Sequence, residues 1–157
     1  MFRVFARHEV QYIIVGGIGA VLQGALVTTE DLDVVHERTP QNIERLLAAL
    51  QKLHARFRAR PDLQPDATHL KGLGHALLDT DAGPLDVLGS IGAKRDFSAL
   101  TGSTVVLALG ELRVRVLDLP TLIATKAEAN REKDRAVLPL LRSTLDRLRQ
   151  RGDRSGD

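Results

Sequence analysis

The run Asp31-Leu32-Asp33-Val34-Val35 constrains this chain more than any other stretch. Acidic and apolar residues alternate at the period of a half-buried strand, so Asp31 and Asp33 share one face about 7 Å apart. Carboxylates set that way repel each other and raise the energy of the strand unless a cation stands beside them. A solvated strand edge is the other way to accommodate the pattern. Their hard oxygen donors suit Mg²⁺ or Mn²⁺ better than zinc.

The segments on either side punctuate this strand. Gln11-Tyr12-Ile13-Ile14-Val15 reads as a buried strand, preceded by a short helix over residues 3–10. Gly16-Gly17 breaks that strand, and residues 18–23 have helical composition closed by Gly24. Thr39-Pro40 offers an N-cap followed by proline at the first helical position. The helix it opens, from Gln41 to about His54, places Ile43, Leu46, Leu47, Leu50 and Leu53 on one face. Residues 56–58 suggest a short strand, and 61–74 an irregular polar segment. Two hairpins follow: 75–79 with 84–89 around Thr80-Asp81-Ala82-Gly83, and 104–109 with 112–117 around Gly110-Glu111. The C-terminal segment reads as helices over 120–130 and 132–149, with Pro139 a kink or break and residues 152–157 fraying. The order predicts an α+β fold, a mixed sheet flanked by helices, as a single domain over residues 1–150 with a tail at 151–157.

Charge and composition exclude several classes. Cysteine is absent, which rules out disulfides and thiolate zinc sites and fits a reducing cytoplasm. No apolar run approaches the length of a membrane span, and the N-terminus lacks an export pattern. Net charge is +2, and the segment from residue 126 onward carries the excess of basic residues. That segment could steer polyanions, although a solvated helix face explains it as well. Four Phe and one Tyr give little for stacking bases.

Further residues could join the acidic pair. Asp86, between Leu85 and Val87 in an otherwise buried run, needs a partner, either a metal ion or one of the arginines. On a neighbouring strand it would let three carboxylates hold two cations about 4 Å apart, the arrangement that activates an attacking oxygen and stabilises a leaving one. Gly16-Gly17, between a strand and a helix, leaves backbone N–H groups open to phosphate oxygens. Arg56, Arg58 and Arg60 alternate, giving either a phosphate-contact stripe or a charge-guarded edge strand. His36 fits a strand end, and His69 and His75 lack the paired spacing of a metal site.

Taken in order, Val15-Gly16-Gly17, Thr29-x-Asp31-Leu32-Asp33 and Leu85-Asp86-Val87 resemble the signature of the DNA polymerase β-like nucleotidyltransferase superfamily. Leu122 to Lys126 followed by Arg131-Glu132-Lys133-Asp134 is similar to the helical element of its small bacterial branch, which includes AbiE-type abortive-infection toxins. The resemblance spans roughly residues 12–142 and implies a nucleotidyltransferase fold. It also implies transfer of an NMP from an NTP to an acceptor hydroxyl, on RNA such as tRNA or on a protein. Asp31, Asp33 and Asp86 would bind Mg²⁺ or Mn²⁺, and Asp86 would help deprotonate the acceptor. Gly16, Gly17, Thr29 and Lys126 would hold nucleotide, with Asp134 at the site edge or ordering Lys126. A cognate antitoxin or a homodimer would be the partner. A non-catalytic, antitoxin-like subunit and an antibiotic-modifying enzyme are the other functions compatible with such a chain. The sequence departs from the family pattern at Gly17, where many relatives carry serine. It departs again at Val27-Thr28, where a basic residue is common, and at Val137, where the toxin branch often has a second aspartate.

Overall fold

A computed structural model describes residues 1–156; residue 157, the end of the expected tail, lies outside the described residues. Seven strands form one mixed sheet in the order β3-β4-β5-β2-β1-β7-β6. They are β1 (Tyr12–Val15), β2 (Leu32–His36), β3 (Arg56–Phe57), β4 (His75–Thr80), β5 (Gly83–Leu88), β6 (Thr104–Leu109) and β7 (Leu112–Leu117). The helices are α1 (Phe2–Arg7), α2 (Gly16–Leu22), α3 (Pro40–Lys52), α4 (Ala67–Lys71), α5 (Phe97–Leu100), α6 (Leu119–Ala129) and α7 (Glu132–Ser155). Both expected hairpins form, with tight turns between Thr80 and Gly83 and between Leu109 and Leu112. Strands β2 and β5 run parallel, as do β1 and β7, so the sheet is mixed. No helix among the described residues is long and apolar enough to cross a membrane.

Period-two alternation divides the core into two layers. Ile14, Leu32, Val34, Leu85 and Val87 pack with Ile43, Leu46 and Leu50 of α3 on one face. Ile13, Val15, Val35, Leu88 and Leu117 pack with Leu122 of α6 and Leu141 of α7 on the other. By the same alternation Asp33 and Asp86 belong to this second face, in line with Val35 and Leu88. The Thr39 hydroxyl caps α3 by accepting from the Asn42 N–H, a contact worth about 1 kcal/mol.

Several boundaries differ from expectation for local reasons. Helix α1 ends at Arg7, before Glu9, which takes a left-handed φ of 54°. Helix α2 begins at Gly16, two residues early, because Gly16 itself makes the turn at φ +68°. The polar segment 61–74 contains α4, opened by a capping box in which Asp66 accepts from the His69 N–H and the His69 ring accepts from the Asp66 N–H. Helix α7 runs unbroken through Pro139 to Ser155, past the end expected for it. Both Pro139 and Arg135, whose carbonyl loses its partner, are exposed, so water can satisfy the carbonyl.

Candidate active site

The site is built on the pairing of β2 with β5. Their register sets Asp33 opposite Asp86, and the pairing of β4 with β5 sets Leu77 opposite Asp86. Asp33, Asp86 and Leu77 thus form a row across one face of the sheet. Asp31 lies one residue before β2, at the strand entrance.

Asp33 and Asp86 are direct cross-strand partners in the β2–β5 register, which sets their carboxyls side by side. Asp33 is pushed up to about 7, first by burial, then by the adjacent Asp86 carboxyl and the negative charge of Asp31; Lys126 pulls the other way. Gly16 makes room for this carboxyl, since a Cβ there would stand 2.1 Å from Asp33 Oδ2. Gly17 does the same for Thr29, whose Cβ and Oγ1 would lie 2.8 and 2.9 Å from a Cβ at position 17. A serine at that position would collide with Thr29, a physical reason for glycine in this chain.

The positive side of the site comes from the junction of α6 and α7. Asn130, in the left-handed conformation, ends α6, and Arg131 caps α7. Asp134 is completely buried there. It accepts from Arg131 Nε at 2.6 Å and Arg131 Nη2 at 3.2 Å, and it lies 3.5 Å from Lys126 Nζ. Burial alone would push its carboxyl up, but the Arg131 bonds and the charges of Arg131 and Lys126 hold it below its usual range. Both its oxygens are occupied by cations, so it meets a ligand only through Lys126 and Arg131.

Two clefts meet at this cluster. The smaller, about 280 Å³, runs past Gly17, Thr29, Asp31, Asp33, Asp86 and Lys126. The larger, about 550 Å³, opens on the other side of the aspartates, between His75 and Leu77 of β4 and Leu122 and Thr125 of α6. Asp33, Asp86, Lys126, Arg131 and Lys133 line both. Lys133 and Arg131 were visible in the sequence only as neighbours of Asp134; the helix junction is what turns them into the cleft.

Asp86 also accepts a hydrogen bond from Arg58 Nη2 at 3.0 Å. Of the alternating arginines only Arg58 reaches the acidic row; Arg60 pairs with Asp62, and Arg56 donates to the Ala55 carbonyl. They form no phosphate stripe. His36 is buried, with its ring nitrogens 3.1 and 2.8 Å from the carbonyls of Leu88 and Leu70, and burial lowers its pKa. It is a packing residue. His69 caps α4, while the His75 ring lies 3.1 Å from the Ser90 carbonyl on the larger cleft.

As placed, no three His, Asp or Glu side chains among the described residues form a ready metal cage. The donor set still fits a divalent ion. Asp33 and Asp86 are hard oxygen donors paired across the sheet, and the lack of a Cβ at Gly16 makes room for the Asp33 carboxyl.

No family model matches the chain, and no curated protein does. Solved structures do share its fold. The lincosamide antibiotic adenylyltransferase LnuA, solved with lincomycin bound, superposes with a TM-score of 0.63 at 14% identity, covering 90% of this chain and 92% of that one. The antibiotic-resistance factor ANT(2'')-Ia gives 0.59 at 15% identity, over 91% of this chain and 79% of that one. A provisionally assigned nucleotidyltransferase from Thermotoga maritima gives 0.56 at 14% identity, over 93% and 88%. The chain has the nucleotidyltransferase fold.

Proposed function

We propose that this protein is a metal-dependent nucleotidyltransferase that moves an NMP from an NTP to an acceptor hydroxyl. The observation that carries this reading is the Asp33–Asp86 pair, set in register on parallel strands between two clefts that share Lys126. In the reaction, the acceptor oxygen forms a bond to the α-phosphorus while the bond from that phosphorus to the bridging oxygen breaks. Pyrophosphate leaves, and the hydroxyl proton passes to Asp86. Asp31, Asp33 and Asp86 are the residues that would hold Mg²⁺ or Mn²⁺. Bound there, the metal supplies positive charge to the attacking and leaving oxygens. The N–H groups at Gly16-Gly17, the Thr29 hydroxyl and Lys126 hold the triphosphate where the smaller cleft meets the larger. Asp134 positions Lys126 and Arg131 rather than touching nucleotide.

The larger cleft receives the acceptor. Lys126, Arg131 and Lys133 at its mouth favour an anionic acceptor such as an RNA end over a polycationic one. Its aliphatic wall of Leu77, Leu88, Ile91 and Leu122 supports a second reading, an uncharged small molecule with an apolar face. One structural neighbour is solved with a small molecule, lincomycin, bound. A cytoplasmic toxin paired with an antitoxin remains within the first reading, as does a protein hydroxyl as acceptor.

The test is transfer of label from each α-labelled NTP, with Mg²⁺ or Mn²⁺, to total RNA, protein, a lincosamide or an aminoglycoside. Asp31→Ala and Asp33→Ala serve as controls. Transfer lost in both variants supports the enzyme. A wild type that neither transfers label nor binds NTP with metal refutes it, and NTP binding without transfer points to a regulatory module.

A further inference from the structure

We infer that Arg58 is a resident counter-cation and positioning residue for Asp86, which it holds until a divalent ion displaces it. The inference rests on the metal-dependent reading above. Arg58 directly follows β3, and its N–H donates to the Leu77 carbonyl at 2.9 Å, so the residue is fixed to the outer edge of β4. From there the guanidinium reaches inward. Nε donates to Asp79 Oδ1 at 3.2 Å, and Nη2 donates to the Leu78 carbonyl at 3.1 Å and to Asp86 Oδ1 at 3.0 Å.

This arrangement divides the two oxygens of Asp86. Oδ1 accepts from Arg58, which restrains the carboxylate and sets its two oxygens in different surroundings. The Arg58 side chain is 35% exposed, against 16% for Asp86. The guanidinium therefore lies nearer to solvent than the carboxylate it holds. Asp79 is 57% exposed and offers the guanidinium a second anchor when Asp86 is taken by another cation. A monovalent cation on one oxygen opposes a divalent ion arriving at the same carboxylate, so Arg58 sets the affinity of the site for metal. It also keeps the row of acids compact without metal. The arginine that satisfies Asp86 and the ion expected there are competing occupants of one ligand.

Binding of Mn²⁺ to the whole chain, followed by the loss of the free-ion electron paramagnetic resonance signal, tests this without turnover. Arg58→Gln is expected to bind Mn²⁺ about three- to tenfold more tightly than wild type. Arg58→Lys, which restores a cation at the rim, should return towards wild-type affinity. Arg60→Gln makes the same charge change where the guanidinium pairs with Asp62, and should leave affinity unchanged. Circular dichroism establishes that each variant is folded. Unchanged or weaker binding in folded Arg58→Gln overturns the inference, as does equal tightening in Arg60→Gln. An Arg58→Gln that does not fold overturns it too, since a displaceable rim cation is dispensable to the fold. Asp33→Asn separates the two levels. If it abolishes Mn²⁺ binding while Arg58→Gln changes nothing, Arg58 is refuted and the metal site stands. If Mn²⁺ binding is absent or indifferent to Asp33→Asn, the metal reading fails and the Arg58 inference with it.

Discussion

At the scale of single residues, the site depends on one carboxyl held away from its ordinary titration and one glycine that accommodates it. Asp33 titrates at about 7 in the folded, metal-free protein, against 3.8 for an unperturbed aspartate. An acid with a raised folded pKa favours the folded state fully below its unfolded pKa, and that contribution is lost as pH climbs through the folded value. The metal-free protein should therefore lose stability between roughly pH 4 and pH 7, by at most about 1.4 kcal/mol per pH unit from this group. Thermal melts in EDTA across that range should show the decline in wild type and a flatter profile in Asp33→Asn. Asp134 has the opposite sign: its lowered pKa gives stability that disappears only on the acid side. Gly16→Ala tests the accommodation directly. The new Cβ meets Asp33 Oδ2 at 2.1 Å, and φ at +68° is a left-handed conformation that costs a side chain about 1–2 kcal/mol before any clash. The variant should melt lower by that amount or more and lose nucleotidyl transfer, whereas Gly24→Ala, with nothing within 4 Å, should pay only the backbone cost.

At the scale of elements, the two edges of the sheet are managed differently. Strand β3 is only Arg56 and Phe57, followed by Arg58, a short and charged edge. Strand β6 has six residues, Thr-Val-Val-Leu-Ala-Leu, without charge or proline, and its Val106 is 57% exposed. Such an edge is a template for pairing with another strand. Val106→Lys should lower concentration-dependent self-association, measured by light scattering, while leaving the melting temperature within a few degrees. Elements with strong periodicity were readable in advance. Helix α3 follows from its 3.6-residue apolar stripe and Thr39-Pro40 start, and both hairpins follow from alternation broken by turn residues. Helix α4 was not, because five residues carry too little period and its capping box uses His69 where Glu or Gln is the usual signal. Continuity of α7 through Pro139 depends on which side of the helix faces water, which sequence alone leaves open. The candidate site divides the same way. The sequence left Asp86 open between a metal ion and an arginine, and made convergence with Asp33 conditional on neighbouring strands; that adjacency, and the reach of Arg58 across β3, β4 and β5, are tertiary facts.

At the scale of the whole molecule, the two clefts and α7 define a direction. Lys133 in the first turn of α7 lines both clefts, and every described residue after Leu145 is exposed. The last turns of α7 thus project beyond the body, carrying Arg147, Arg149, Arg151 and Arg154 against Asp146 and Asp153. A projecting basic helix that starts at the cleft would track an acceptor with a phosphate backbone, and would do nothing for a small molecule held inside the cleft. Salt and truncation then separate the two acceptor readings. If the acceptor is RNA, its KM should rise steeply between 50 and 200 mM salt, roughly in proportion to the phosphates neutralised, while the KM for NTP changes little. Every described residue beyond Asp146 is exposed, so ending the chain there should leave the melting temperature within a few degrees. The same truncation should raise the RNA KM and flatten its salt dependence. A small-molecule acceptor predicts a truncated enzyme indistinguishable from wild type in both respects, so one pair of titrations decides which compound the larger cleft receives.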